Sequence, residues 1–182
     1  MILAVILMIM PVPRTDCPRA QETTPQGEAD STETEPDPAG EPGPVRVAIE
    51  LEGGGTIVME MLEEEAPVTV DRFLTLVSEG FYDGLKFHRV EKFLVQTGKK
   101  EHEYPPIEGE MFGQIVTHEA GMVGMARLPD DYDSGSTQFY IMKKHKPTFN
   151  CEYTLFARVT DGMALVKNID KDTKIERVFI VE

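Results

Sequence analysis

The sequence contains few of the residues from which metal centres and disulfide frameworks are built. It has two cysteines, no tryptophan and four histidines among its 182 residues. Cys17 and Cys151 cannot form a CxxC pair, and no histidines have HxxxH spacing, since the nearest two are fourteen residues apart. We therefore expect no metal site and no disulfide framework, and a single bridge between Cys17 and Cys151 stays open.

Positive charge is also scarce. The chain has 18 lysines and arginines against 32 acidic residues, which gives a net charge of −14 at pH 7. Residues 1–44 contribute 8 acidic and 2 basic side chains (net −6), and residues 45–182 contribute the other 24 and 16 (net −8). Both parts would repel a phosphate backbone, so we expect no nucleic-acid partner. The same balance is typical of a solvated, soluble surface.

A hydrophobic run long enough to span a bilayer is missing as well. The N-terminal run "MILAVILMIM" has ten residues, which is too short for a membrane helix but suits the apolar core of a signal peptide. We interpret residues 1–20 as a signal-like segment and expect no integral membrane domain. The basic residues usual ahead of such a run are missing, but an apolar N-terminus followed by a spacer and a domain suits an exported protein. We therefore favour export to the periplasm or cell envelope, with a cytoplasmic location as the alternative.

The next segment has almost nothing that could form a core. Residues 21–44, "QETTPQGEADSTETEPDPAGEPGP", contain no aromatic and no large aliphatic residue. Such a stretch cannot bury enough apolar surface to offset the entropy of ordering it. We predict that it is a disordered, acidic, proline-rich linker and that residues 45–182 form one folded domain, expected to be a monomer.

Clear periodicity begins at residue 45. Apolar residues alternate along "VRVAIEL" and "TIVMEM" on either side of "GGG", which predicts a β-hairpin with one buried face. In "APVTVDRFLTLVSEG" the spacing changes to that of an amphipathic helix, because Val70, Phe73 and Val77 lie i, i+3 and i+7. We predict that this helix begins near Val68 or Thr69 and ends at Gly80.

The remainder of the chain reads as short strands with one more helix. The stretches "MVGMARL", "TQFYIM", "YTLFARV" and "IERVFIVE" predict buried strands, and "PDDYDSGS" predicts an irregular polar loop. A short helix is predicted in "DGMALVKNI", with Asp161 as its cap and Met163, Val166 and Ile169 facing inward. Short strands with two helices indicate a mainly β fold, a closed or nearly closed antiparallel barrel.

Several of these stretches together resemble the cyclophilin family of peptidyl-prolyl cis-trans isomerases. The resemblance covers residues 45–182 and rests on "APVTVDRFLTLVSEGFYDGLKFHRV", "FLVQTG", "MVGMAR", "GSTQFYI" and "YTLFARVTDGMALV". Their order and spacing are more specific than any one of them alone. The resemblance implies an eight-stranded antiparallel β-barrel capped by two α-helices, which binds proline-containing or unfolded segments in a groove on its outer face and needs no cofactor.

The resemblance also assigns roles to particular residues. It implies that Arg89 is the catalytic arginine and that Gln96 holds the substrate beside it. The substrate-binding residues that it implies are Phe93, Leu94, Ala126, Arg127, Gln138, Tyr140, Phe149 and Tyr153. Among these, Ala126 and Arg127 would pair with the peptide backbone, and Tyr153 would close the far wall of the proline pocket. We interpret His88 and His118 as hydrogen-bonded structural histidines.

The chemistry that this family performs explains why an arginine is needed. Rotation about a peptide bond is opposed by amide resonance with a barrier of about 18–20 kcal/mol. A charged donor aimed at the prolyl nitrogen stabilises the lone pair as it localises in the twisted state, and this interaction is absent from the planar ground state. The guanidinium of Arg89 stays charged at every relevant pH. An apolar pocket that holds the proline ring leaves the other side of the bond free to turn.

The sequence departs from the family pattern at two places that bear on activity. "FHRVEKFLVQTG" has one residue fewer between Arg89 and Phe93, and Thr148 occupies a position where the family frequently has Trp or His. Arg127 also replaces a common asparagine, which brings a second cation to the groove. These departures leave an alternative open, in which the domain binds proline-containing or unfolded segments without catalysing their rotation at a useful rate.

Overall fold

The computed structural model describes residues 43–181, which contain eight strands and two α-helices. The predicted signal-like segment, nearly all of the predicted linker and Cys17 lie outside the described residues. The elements in chain order are β1 Arg46–Leu51, β2 Thr56–Met61, α1 Pro67–Ser78, β3 Arg89–Val90, β4 Leu94–Thr97, β5 Met122–Met125, β6 Phe139–Met142, the 3-10 turn Pro147–Phe149, β7 Leu155–Asp161, α2 Met163–Asn168 and β8 Ile175–Val181.

The eight strands form one curled antiparallel sheet in the order β3-β4-β6-β5-β7-β2-β1-β8. The two edge strands, β3 and β8, approach each other around the curl. An isolated antiparallel bridge between Lys86 and Lys174 joins the segment before β3 to the segment before β8, and the backbone N–H of Ile175 donates to the carbonyl of Leu85 at 2.8 Å. The expected mainly β fold, a nearly closed barrel with two helices, is confirmed.

Helix α1 begins and ends close to the predicted residues. Gly80 has a φ of 65°, its N–H donates to Val77 O, and the N–H of Phe81 donates to Leu76 O. These bonds form the Schellman motif that a glycine in the left-handed conformation permits. The helix begins at Pro67, next to the predicted start at Val68 or Thr69, and a distant carboxylate binds its first turn.

That carboxylate belongs to Glu110 in the loop before β5. Its two oxygens accept the backbone N–H groups of Val68 and Thr69 at 3.0 and 2.9 Å. Free N–H groups in the first turn of a helix favour an anion, so a residue more than forty positions away replaces the local side-chain cap. Within residues 43–181, neither helix combines the length and apolarity that crossing a membrane requires.

Helix α2 differs from its prediction at the first turn. Asp161 is the last residue of β7, and the N-cap position is held by Gly162 in the left-handed conformation. The carboxylate of Asp161 accepts the N–H of Gly162 at 2.7 Å and so stabilises the turn that precedes the helix. The inward face was predicted correctly, since Val166 and Ile169 are buried and Met163 packs against the core.

The interior of the curled sheet is filled by aromatic and aliphatic side chains beneath α1. Phe73 of α1 lies 5.1–5.3 Å, between ring centroids, from the rings of Tyr82, Phe139 and Phe156. None of these four side chains is exposed to solvent. We call the buried residues that pack around them the interior cluster.

Strands β4 and β6 are buried on both faces, and this property positions the site. Val95 and Ile141 point into the interior cluster, whereas Leu94, Tyr140 and Met142 form a separate apolar cluster. Successive side chains of a strand point to opposite faces, so the second group lies on the outer face of the sheet. We call it the outer cluster, and its partly buried members are Phe93, Met122, Ala126, Phe149 and Tyr153.

Candidate active site

A row of three polar side chains runs across the outer face from the edge of the sheet. Arg89 of β3 pairs in register with Gln96 of β4, and its Nη1 donates to Gln96 Oε1 at 3.2 Å. Gln96 Nε2 donates in turn to Gln138 Oε1 at 3.1 Å. Gln96 therefore accepts from Arg89 through its oxygen and donates to Gln138 through its nitrogen, so each side chain in the row donates to the next one. Gln96 is buried, while 49% of the Arg89 side chain is exposed.

A fourth residue, Glu91, also holds the arginine and was missed by the sequence analysis. Arg89 Nε donates to Glu91 Oε1 at 2.7 Å, and Nη2 lies 2.7 Å from the same oxygen in an ion pair. The two residues are two positions apart on one extended segment, and side chains at i and i+2 lie on the same face. This spacing was visible in "RVE" and would have predicted the pair.

The aromatic members of the outer cluster surround a cavity beside this row. The ring centroid of Tyr153 lies 5.8 Å from that of Tyr140 and 4.9 Å from that of Phe149. The cavity has a volume of about 90 Å³, roughly that of three water molecules. Eight of the ten predicted site residues line it: Arg89, Leu94, Gln96, Ala126, Arg127, Tyr140, Phe149 and Tyr153.

Phe93 belongs to the outer cluster but does not line this cavity, which differs from the expectation. The N–H of Glu91 donates to the carbonyl of Leu94 at 2.8 Å, so Lys92 and Phe93 form the tip of a tight turn. This turn is therefore where the chain is one residue shorter than the family pattern, and the strands on either side keep their pairing. The ring of Phe93 instead packs edge-on against Phe149, with centroids 5.9 Å apart.

Gln138, the other predicted residue outside the small cavity, lines a neighbouring cavity of about 430 Å³. Its side chain contacts Gln96 at the boundary between the two spaces. Ala126 and Arg127 line both cavities. The structure thus places Gln138, which the resemblance assigns to the substrate groove, beside the smaller cavity.

Arg127 does not carry a free charge into the groove. Its Nη2 donates to Glu152 Oε2 at 2.9 Å, its Nε donates to the carbonyl of Glu152, and its side chain is only 4% exposed. The guanidinium carbon lies 4.2 Å from the ring centroid of Tyr132 and 4.9 Å from that of Tyr153. Arg127 therefore supports the pocket wall, and Glu152 compensates its charge.

His118 lies behind the pocket and holds the hydroxyl of Tyr140. Its Nε2 is 2.8 Å from Tyr140 Oη, and its Nδ1 is 2.9 Å from Asn150 Oδ1. Because Asn150 Oδ1 also accepts the backbone N–H of His118, Nδ1 carries the proton and Nε2 accepts from tyrosine. Burial lowers the pKa of His118 to about 4, so the ring is neutral at pH 7. The interpretation of His118 as a hydrogen-bonded structural histidine is confirmed.

Gly124 of β5 is a second residue whose role the sequence analysis missed. It pairs directly with Tyr140, and a Cβ at this position would lie 2.3 Å from Tyr140 Oη. The tyrosine can cross β5 to reach His118 only because residue 124 has no side chain. Its place inside "MVGMAR" was noticed, but nothing local in the sequence shows what lies opposite.

The arrangement combines a held, partly exposed guanidinium with a small cavity that has both apolar and polar walls. The guanidinium of Arg89 has five N–H donors, of which one on Nε is bonded to Glu91 and one on Nη1 to Gln96. Nη2 lies in the ion pair with Glu91. Within residues 43–181, no three His, Cys, Asp or Glu side chains are placed to hold a metal ion.

Comparison with known proteins agrees with this geometry. Residues 46–181 match the family described as cyclophilin type peptidyl-prolyl cis-trans isomerase/CLD. The chain is 38% identical over 134 residues to peptidyl-prolyl cis-trans isomerase B of Bacillus subtilis, an alignment that covers 70% of this chain and 92% of that protein. It is 33% identical over 135 residues to a peptidyl-prolyl cis-trans isomerase of Helicobacter pylori, covering 68% and 80%.

Solved structures show the same fold. A cyclophilin from Hirschia baltica superposes with a TM-score of 0.66 at 20% identity, covering 74% of this chain and 73% of that one. A cyclophilin type isomerase from Cryptosporidium parvum, crystallised in the presence of the dipeptide Ala-Pro, gives 0.67 at 22% identity and covers 75% and 99%. The sequence match and the shared fold lead to one conclusion: the chain belongs to the cyclophilin-type peptidyl-prolyl cis-trans isomerase family.

Proposed function

We propose that this chain accelerates rotation about Xaa-Pro bonds in protein substrates and that Arg89 is the catalytic residue. The observation that carries the proposal is the position of the Arg89 guanidinium. It lines the same cavity as the apolar side chains of Leu94, Phe149 and Tyr153, it is held by Glu91 and Gln96, and about half of it stays exposed. The names of the curated relatives support the same reaction.

The mechanism follows from what each part of the site contributes. The proline ring enters the cavity between Leu94, Phe149 and Tyr153 and is held there by burial of its apolar surface. The carbonyl side of the bond stays in the groove and turns. As the bond twists, the nitrogen lone pair localises, and Arg89 donates to it. Gln96 keeps the guanidinium in place and offers its amide to the peptide backbone.

This mechanism requires little movement of the protein. The site is built on strands β3, β4 and β6, which are joined by ladder hydrogen bonds, and its aromatic wall is packed ring against ring. A preorganised donor stabilises the transition state without reorganising during the reaction. Preorganisation therefore favours fast rotation, and, as for any catalyst, both directions are accelerated equally.

We further propose that the domain acts on unfolded segments of exported proteins and assists their folding as a monomer. The support for export is the ten-residue apolar run at the N-terminus. Cell fractionation, followed by N-terminal sequencing of the mature chain, tests this part. An intact N-terminus in the cytoplasmic fraction would contradict it.

A second candidate function is a binding module that holds proline-containing segments without catalysing rotation. It is favoured by the position of Phe93, which packs against Phe149 and does not line the cavity. It is also favoured by the exposed Thr148, next to Phe149 in the sequence. Both departures reduce the apolar surface that grips the ring. This candidate predicts binding of peptides with no increase in their exchange rate.

The experiment that separates the two functions is NMR exchange on a capped Ala-Ala-Pro-Ala peptide with the full chain. The proposal expects acceleration by the parent and a loss of about 100-fold or more in Arg89→Ala, the usual effect of removing one preorganised donor. Arg177→Ala, which removes an exposed arginine paired with Glu50, is the control and should stay active. Chemical-shift changes without acceleration in the parent would instead establish the binding module.

A further inference from the structure

Glu91 makes an unusual pair with the arginine at the mouth of the cavity. A single oxygen, Oε1, lies 2.7 Å from both Nε and Nη2 of Arg89. The side chains are 33% and 49% exposed, so the pair faces the solvent from which a peptide arrives. Its carboxylate places one negative charge directly beside the group that acts on the substrate.

The pair is accessible to only one side of the bound peptide. Arg89 lies on β3, the edge strand, and Ala126 and Arg127 follow β5, which is separated from β3 by β4 and β6. If the residues before proline pair with Ala126 and Arg127, the chain that follows proline leaves toward β3. The residue after proline therefore passes next to Arg89 and Glu91.

Other charged groups lie near the cavity, but they do not contact the guanidinium of Arg89 as Glu91 does. Arg127 is paired with Glu152 on the β5 side. The ammonium of Lys146 rests on aromatic faces, 5.0 Å from the centroid of Phe93 and 5.9 Å from that of Phe149, and Lys92 is exposed at the turn after Glu91. Among the ion pairs of the described residues, Glu91 is the partner of Arg89, so its carboxylate is the charge closest to the guanidinium that a peptide meets.

From this arrangement we propose that Glu91 is a specificity-determining residue. Without its carboxylate, Arg89 would favour substrates with an acidic residue after proline, and Glu91 removes this preference. This inference rests on the proposed function of the same site. A bare guanidinium attracts carboxylates and repels ammonium groups, whereas a guanidinium beside a carboxylate presents nearly no net charge at distances longer than the pair itself. Glu91 thus allows the site to accept substrates with a basic or neutral residue after proline.

The expected size of the effect follows from Coulomb's law. At a separation of about 8 Å, in the partly solvated mouth of a groove, one unit charge changes the relative rates of oppositely charged peptides by roughly threefold to tenfold. Salt weakens the interaction, because the screening length falls from about 10 Å at 0.1 M to about 3 Å at 1 M ionic strength.

Two substitutions separate the charge of Glu91 from its other properties. Glu91→Gln keeps the shape and can still accept a hydrogen bond from Arg89, but it removes the charge. Glu91→Asp keeps the charge. Glu50→Gln is the matched control, since Glu50 forms an exposed pair with Arg177 in which the shortest distance is also 2.7 Å. It changes the net charge of the protein by the same amount on β1, a strand that does not pair with β3.

The measurement is kcat/KM by NMR exchange for capped Ala-Ala-Pro-Xaa-Ala peptides in which Xaa is Lys, Gln or Glu, at 0.1 M and 1 M salt. We expect Glu91→Gln to raise the Glu-to-Lys ratio by roughly threefold to tenfold at 0.1 M salt, with a smaller change at 1 M. Glu91→Asp and Glu50→Gln should keep the parent ratio. The Gln peptide separates the two effects of Glu91→Gln, because looser positioning of Arg89 slows all three peptides alike, whereas the lost charge changes the Glu-to-Lys ratio.

An unchanged ratio in Glu91→Gln, or the same shift in Glu50→Gln, would overturn the inference. Failure of the proposed function has a different signature, because the parent would then accelerate none of the peptides, including the neutral one. In that case the dissociation constants of the same peptides, read from chemical shifts, test the charge effect independently. A Glu-to-Lys affinity ratio that Glu91→Gln leaves unchanged would then overturn the inference as well.

Discussion

The interior cluster and the outer cluster are built on opposite faces of the same strands, β4 and β6, yet they differ in what encloses them. The interior cluster is covered by α1 and closed by four aromatic rings with no exposed surface. The outer cluster is covered by loops and the 3-10 turn at Pro147–Phe149. It keeps a cavity of about 90 Å³ and is bordered by charged and amide side chains.

The difference shows how one sheet can serve stability and function at the same time. Complete enclosure gives the interior cluster the full benefit of apolar burial. The outer cluster leaves a cavity of about 90 Å³ unfilled, and this cavity is the proposed binding site. Substitutions inside should therefore reduce the free energy of unfolding, and those outside should mainly reduce activity or affinity.

The largest expected effect tests the interior cluster. Phe73→Ala removes the ring that contacts Tyr82, Phe139 and Phe156 and should lower the free energy of unfolding by about 3–5 kcal/mol. Urea denaturation of the full chain measures it. Phe149→Ala is the matched substitution in the outer cluster. An equal loss of the free energy of unfolding in the two variants would contradict the difference between the clusters.

The next prediction concerns pH, because the outer cluster depends on a neutral histidine. The pKa of His118 is about 4 in the folded chain and about 6.5 when unfolded, so the unfolded state binds more protons between these values. Stability is therefore fully present above pH 6.5 and decreases as pH falls toward 4, by about 3 kcal/mol in total.

Urea denaturation at pH 7 and pH 4.5 measures this loss in the parent and in His118→Gln. The substitution should remove most of the difference between the two pH values, although it also weakens the contact with Tyr140. Burial also lowers the pKa of His88, but His88 is present in both proteins, so the comparison isolates His118. Equal pH dependence in the two proteins would contradict the assignment.

The smallest expected effect tests the wall of the cavity. Tyr153→Ala removes the ring that contacts Tyr140 and Phe149. It should weaken the affinity for a proline-containing peptide about tenfold, which corresponds to about 1.4 kcal/mol, and should reduce stability less than Phe73→Ala. Chemical-shift titration measures the affinity, and an unchanged dissociation constant would remove Tyr153 from the pocket.

Much of this architecture could be predicted because it follows from local patterns. The alternation in β1 and β2, the i, i+3, i+7 spacing in α1 and the left-handed Gly80 all depend on neighbours within a few residues. The cap from Glu110, the glycine opposite Tyr140 and the position of Phe93 could not be predicted in this way. Each depends on a contact between segments that only the folded chain brings together.

The sequence by itself determined the element order, the buried faces and the family, and with the family the expectation that Arg89 and Gln96 act together. This was sufficient because hydrophobic periodicity and family motifs are visible in the sequence alone. The tertiary structure decided that the ring of Phe93 packs against Phe149. It also decided that Glu152 compensates the charge of Arg127 and that Glu91 pairs with Arg89. These outcomes depend on the direction of individual side chains, which packing in three dimensions selects.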